Sequence, residues 1–354
     1  MISLGPLLVD LEGKTIAPDE RELLQSPAIG GVVLFSRNYE CVEQLTDLTR
    51  DIHTLRSPPL LIAVDQEGGR IQRFRTGFSA LPSARALGLL WEQDRAAARR
   101  LARCSGYVNG LELRSAGLDI CLAPVVDLWQ KTSIVIGDRA FSANPKAVTE
   151  LALSWIRGLE RGGMRATLKH FPGHGGVAED THQIAATDSR SVSELARSDL
   201  IPYRELIKRF PYLSVMTAHV SFSAIDPNPA SLSKYWIRSM LREDLKLKGA
   251  VISDDLTMHA LDTHGPLEAR VRNALLAGTD LAIVCNAHAG LPVLLRALRD
   301  YRDPVSRLRL MHLHAGEPLS RMELSQMAGW QEAVHHIERL QVRSDLFPGG
   351  GGIG

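Results

Sequence analysis

The sequence predicts an α/β fold, a single (β/α)8 TIM barrel, and three observations carry that expectation. Eight short apolar runs recur along the 354 residues, each rich in Val, Ile, Leu or Ala. Segments of helical character separate most of them. Nearly every run also ends on polar or charged residues, as expected where parallel strands open onto one functional face.

In order, the runs are 6–9, 31–35, 60–64, 120–126, 165–168, 213–218, 250–252 and 281–285. Continuous apolar runs of this length suit strands buried on both faces of a parallel sheet. Helices are expected over 42–53, 92–116, 145–161, 192–209, 234–245 and 267–277. The strand ends then read Asp10, Ser36-Arg37, Asp65-Gln66-Glu67, Asp127, Lys169-His170, His219, Ser253-Asp254-Asp255, and Asn286 with His288. A doubly wound open sheet would gather such groups at one crevice. Eight polar ends favour a ring.

After Asn286, helices are expected over 291–301, 319–326 and 330–342, and Ser320 to Glu323 has the spacing of a capping box. No linker, repeat or low-complexity block divides the chain. The expected organisation is one catalytic barrel over 1–343 and a disordered glycine-rich tail over 344–354.

Hydrophobic residues make up 45% and charged residues 23%, ordinary for a water-soluble globular chain. Lys+Arg 41 against Asp+Glu 40 leaves a formal charge of +1, so no net field draws nucleic acid or an anionic membrane. Cys41, Cys104, Cys121 and Cys285 are far apart and form no metal-binding pair. Cys121 and Cys285 lie in apolar runs and read as buried reduced thiols. Residues 1–6 lack the basic and apolar segments of a signal peptide, and no stretch of about 20 apolar residues occurs. A cytoplasmic, monomeric protein is the default expectation.

The densest chemistry lies between Lys169 and His182, where three histidines, a lysine and two acids surround three glycines and a proline. Pro172-Gly173 opposes a helix, so His170 and His174 are not aligned as metal ligands, and no metal is expected. Asp65-Gln66-Glu67-Gly68-Gly69-Arg70 has neither a Walker nor a Rossmann spacing, and its acids would repel phosphate. No Gly-x-Ser-x-Gly elbow is present for acyl transfer. Glycoside hydrolysis needs a carboxylate and a proton donor. Asp254 at a strand end suits the first and the histidine loop the second. Asp254 and Asp255, adjacent near a strand, should point opposite ways, with one facing the mouth. Arg139 has Asp138 or Asp127 as candidate structural partners, and a sugar as a functional one.

These residues resemble the family 3 glycoside hydrolases, and within them the β-N-acetylhexosaminidases of peptidoglycan recycling. The matching pieces are Leu34 to Asn38, Ile62 to Arg73, Ala123 to Asp127, Gly137 to Phe141, Lys169 to Gly175, Asp180-Thr181-His182 and Ser253 to Met258. The resemblance implies a retaining enzyme that removes terminal N-acetylglucosamine from cytosolic muropeptides, with a sugar substrate and no cofactor. It implies Asp254 as nucleophile, His182 as proton donor and acceptor, and Asp180 as the partner that charges and orients His182. It assigns Asp65, Arg73, Arg139, Lys169 and His170 to the N-acetylglucosamine ring. Thr181 departs from the serine usual there and bears on loop dynamics through its β-branch. A histidine with an ordinary pKa of about 6.5 can donate and accept in turn at neutral pH. Three alternatives stay open: nucleophilic attack by the substrate's own acetamide, phosphate-dependent release, and a silent carbohydrate-binding barrel. Lys169-His170 is expected to be fixed, and 180–182 to swing in with substrate.

Overall fold

Strand β1 (Leu7–Asp10) lies parallel to β2 (Ile29–Leu34), with Leu8 opposite Gly31 and Val9 opposite Val32. The ladder continues in parallel through β3 (Leu61–Val64), β4 (Ile120–Cys121), β5 (Arg165–Phe171), β6 (Ser214–Thr217) and β7 (Val251–Ser253). β8 (Ala282–Val284) returns to β1, and a bridge from Leu281 to Ile252 of β7 closes the ring. The computed structural model describes residues 4–341 except Ala178, Asp180, His182 and Gln183. The fold is the expected (β/α)8 barrel, and each barrel strand falls on one of the eight apolar runs. The predicted tail at 344–354 lies outside the described residues.

Apart from Arg165, every residue of these strands is buried. Alternation along the strands splits them into two sets. Leu8, Val33, Leu61, Ala63, Ile120, Leu122, Met216, Ile252 and Ile283 form an inner cluster. Leu7, Val9, Ile62, Val64 and Val251 belong to the larger cluster shared with the surrounding helices. Each such Val, Leu or Ile contributes about 1.5–3 kcal/mol by leaving water. Leu4, Leu310 and Leu313 join the inner cluster. They meet it beside Ala250 and Leu281, so they plug the end where the strands begin. Asp280 pairs there with Arg242 at 2.6 Å and Arg309 at 3.0 Å.

The helices Pro145–Arg161 and Leu267–Ala277 fall on their predicted bounds. Ser320 caps its helix as expected: its N–H donates to Glu323 Oε2 at 2.8 Å and its Oγ accepts from Glu323 N at 3.2 Å. Other boundaries differ for identifiable reasons. The run 120–126 yields only the two-residue β4, because Pro124 has no N–H for the ladder. The helix expected at 92–116 is found as Arg95–Ser115, and a further helix, Ala84–Gln93, precedes it. Asp94 interrupts them and accepts from Ala96 N and Ala97 N, both at 2.9 Å. The segment at 192–209 divides into Val192–Ala196 and Leu200–Arg209. Tyr235–Asp244 winds with the wider π-helical pattern. Helix Pro18–Leu24 has too few turns to show a period, yet Glu20 caps it by accepting from Ala17 N at 2.9 Å. Cys121 and Cys285 are buried free thiols, as predicted. Among the described residues no helix is long and apolar enough to cross a membrane.

Candidate active site

A cavity of about 460 Å³ opens at the C-terminal ends of the strands. Val33, Leu122, Met216 and Ile283 of the inner cluster form its floor. Asp65, Arg73, Arg139, Lys169, His170 and Asp254 stand on its walls, so six of the eight predicted site residues share one cavity. Asp180 and His182 lie outside the described residues, so of the segment expected to swing only Thr181 is described.

The walls are assembled locally. After β3 the chain forms a hairpin, Gln66–Gly68 against Ile71–Gln72. Gly68 (φ 98°) and Gly69 (φ 58°) take left-handed turns that side chains resist. The hairpin brings Arg73 back over its own strand end, with Nη2 3.3 Å from Asp65 Oδ2. At the end of β5, Lys169 is buried, its Nζ 2.6 Å from Asp65 Oδ1 and 2.7 Å from Glu67 Oε1. Glu67 also receives a two-pronged bond from Arg139, Nε to Oε2 at 2.9 Å and Nη2 to Oε1 at 2.8 Å. Charge therefore alternates along Arg73, Asp65, Lys169, Glu67 and Arg139. Neither Asp138 nor Asp127 is the partner of Arg139. Asp138 pairs with Arg70 at 2.6 Å, and Glu67 takes the place that the sequence suggested for it.

Burial alone would discharge such a row, and its mutual attraction prevents this. Burial tends to raise Glu67, but Arg139 and Lys169 hold it well below the usual carboxylate range. Asp65 is likewise lowered, against burial, by Lys169 and Arg73. Lys169 is raised, since Asp65 and Glu67 outweigh its desolvation.

His170 continues the row. Its Nε2 faces the donor-only Nη2 of Arg139 at 3.4 Å, and its Nδ1 lies 2.8 Å from Asp127 Oδ2. These partners place the proton on Nδ1 and leave Nε2 as an acceptor. Burial, then Arg139, pushes the His170 pKa well down, consistent with a neutral ring. Asp127 also accepts the backbone N–H of His174 at 2.7 Å, so it ties the strand end to the loop. The His174 ring meets Thr181 Oγ1 at 3.0 Å, and Thr181 O accepts from Ala260 N at 3.2 Å. His174 is a loop-fixing group, and the Thr181 hydroxyl is its buried partner. Among the described residues no group of three or more His, Cys, Asp or Glu could hold a metal.

At the end of β7 the two aspartates divide their tasks. Asp254 Oδ1 accepts from Asp255 N at 2.9 Å, and the residue lines the cavity. Asp255 Oδ1 accepts from Thr257 N at 3.0 Å and Cys285 N at 3.2 Å. Burial lifts the Asp255 pKa to about 6 in spite of those donors. His219 Nε2 meets the Asp255 carbonyl at 2.8 Å and its Nδ1 meets Ser231 Oγ at 2.7 Å, which braces the same turn. Sequence reasoning did not place Phe35, Ile134, Val135 or Met258 on the cavity walls. No polar signal marks them.

The profile of the glycosyl hydrolase family 3 N-terminal domain matches residues 5–309. The chain belongs to glycoside hydrolase family 3. Its similar relatives are β-hexosaminidases. That of Alkalilimnicola ehrlichii is 49% identical, over 94% of this chain and 96% of its own. That of Thioalkalivibrio sulfidiphilus is 45% identical, over 96% and 97%. Among solved structures, NagZ from Neisseria gonorrhoeae, in complex with N-trifluoroacetyl-D-glucosamine, superposes with a TM-score of 0.88 at 39% identity, covering 96% of this chain and 98% of that one. M. tuberculosis LpqI superposes with a TM-score of 0.75 at 30% identity, over 88% and 92%. The sequence's resemblance to family 3 β-N-acetylhexosaminidases is therefore sound, and the chain is an enzyme of that class.

Proposed function

We propose that this β-N-acetylhexosaminidase removes a non-reducing terminal N-acetylglucosamine from cytosolic muropeptides with retention, through a covalent glycosyl-enzyme. The observation that carries the reading is the position of Asp254. It lines the same cavity as a preorganised row of donors and acceptors, Asp65, Arg73, Arg139, Lys169 and His170. A cavity of about 460 Å³ with an apolar floor is suited to one sugar ring. In this reading Asp65 accepts from ring hydroxyls, while Arg73, Lys169, Arg139 and the neutral His170 fix the remaining oxygens and the acetamide. Asp254 attacks the anomeric carbon as the glycosidic bond breaks. His182, charged and oriented by Asp180, gives its proton to the leaving oxygen and later takes one from water. The enzyme acts as a cytoplasmic monomer.

Hydrolysis of a chromogenic β-N-acetylglucosaminide, with Asp254→Ala alongside, tests the core of this. The variant should lose at least about 10³-fold in kcat, the scale on which loss of a nucleophile acts. Equal activity in the two proteins would remove Asp254 from the chemistry. A 2-fluoro sugar should leave a covalent adduct on Asp254. A fully active enzyme that yields none would point instead to attack by the substrate acetamide. Release of sugar 1-phosphate at high phosphate would mark phosphorolysis. Preference for a muropeptide carrying 1,6-anhydro-muramic acid over chitobiose would support the recycling role.

A further inference from the structure

We propose that the outer face of the barrel carries a second, anion-binding site, built for a small molecule bearing two or more phosphates. It is an open surface cleft of about 560 Å³ lined by residues of three helices: Arg95–Ser115, Pro145–Arg161 and Ala328–Gln341. Arg99, Arg100 and Arg103 from the first helix, Arg157 from the second and His336 from the third line it. Among the described residues, no hydrogen bond, ion pair or ring contact engages any of those four guanidinium groups. The single carboxylate on the wall, Glu150, is already taken, accepting from Trp91 Nε1 at 2.9 Å. His336 Nε2 is buried without a hydrogen-bond partner.

This is a departure from the rest of the molecule. The whole chain carries a formal charge of +1, and these four arginines are exposed and, among the described residues, unpaired, whereas the partly buried Arg139, Arg190, Arg242 and Arg309 are each held by an acid. Arg99 and Arg103 stand four apart on one helix face, and Arg100 and Arg103 three apart. Like charges at those spacings oppose the helix. A bound polyanion would reverse that penalty, because each guanidinium fork can hold a phosphate through two parallel bonds. Four cations converging from two helices exceed what one phosphate can engage. The site is separate from the barrel mouth, shares no residue with it, and does not depend on the muropeptide reading.

The test is calorimetric titration of the full-length protein with inorganic tripolyphosphate and, in a parallel arm, with a nucleoside diphosphate. Saturable binding of either at one site per chain, weakening steeply with added salt, is expected. Arg100→Gln/Arg103→Gln/Arg157→Gln should reduce affinity at least tenfold. The three Arg→Lys replacements should lose less, keeping charge without the fork, and Arg302→Gln should change nothing. All variants should keep wild-type hydrolysis of the chromogenic sugar, which also certifies their folding. Absence of saturable binding, affinity unchanged in the Gln variant, or binding only to vesicles of anionic phospholipid would each overturn the proposal.

Discussion

Glu67 bridges the two cations that the cavity depends on, and it is the residue whose removal tests the charged row most directly. Glu67→Gln leaves Lys169 and Arg139 buried with one acid fewer. Breaking a buried pair from one side typically destabilises by about 3–5 kcal/mol, so a clear fall in unfolding free energy is expected by denaturant titration. The folded-state pKa of Glu67 is depressed. Its stabilisation is therefore present above the ordinary carboxylate range, near pH 4.3, and lost as pH falls below it. The variant should lose less stability than wild type over that acid interval, and an identical acid slope would refute the assignment. Asp127→Asn probes the other end of the row. It weakens the bond that keeps the His170 proton on Nδ1, and a hydrogen bond to a charged group is worth about 1.5–3 kcal/mol. A drop of about 10–100-fold in kcat/KM is expected, carried mainly by KM if His170 serves ring binding. An unchanged KM with a depressed kcat would place His170 in the chemistry instead.

At the scale of elements, the strand ends were the most legible feature of the sequence. Asp65, Lys169, His170 and Asp254 each lie within two residues of the end of an apolar run, and the barrel carries all four to one rim. Arg73 and Arg139 sit on loops beyond that rule, and only their motifs marked them. The bridge from Glu67 to Arg139 was not readable, because it joins loops after two different strands through a hairpin whose turn depends on Gly68 and Gly69. Helix breaks escaped for a similar reason. An Asp inside a periodic segment looks like a solvated face, whereas Asp94 caps the helix that follows it. Loss of that cap is measurable. Asp94→Ala should reduce stability by about 1 kcal/mol and leave KM alone, because the cap touches no cavity residue. A change in KM would show that helix Arg95–Ser115 steers the site, for which Asn109, whose side chain donates to Gln66 O at 2.7 Å, offers a route.

The whole molecule separates stability from chemistry along the barrel axis. At the mouth, charged groups are held in place by one another, and Asp255 is kept partly against its own ionisation. At the opposite end, Leu4, Leu310 and Leu313 close the inner cluster, and buried Asp119 locks the plug. It accepts from Ile62 N at 2.9 Å and Ala315 N at 3.2 Å, and its oxygens meet His53 at 3.0 Å and His314 at 3.4 Å. Burial would raise that carboxyl, but the bonds from His314 and His53 hold it at about 2. Its contribution is therefore complete above the unfolded pKa of about 3.9 and lost as pH falls through about 2. Leu310→Ala tests the division. Truncating a fully buried leucine should destabilise by about 2–5 kcal/mol, lowering the melting temperature, while KM and kcat at 25 °C stay at wild-type values. Combined with Glu67→Gln, the two losses should add to within about 0.3–0.5 kcal/mol, since the sites share no partner. A larger deviation would mean that the barrel transmits strain from plug to mouth through its inner layers, and activity of the single Leu310→Ala variant would then fall with its stability.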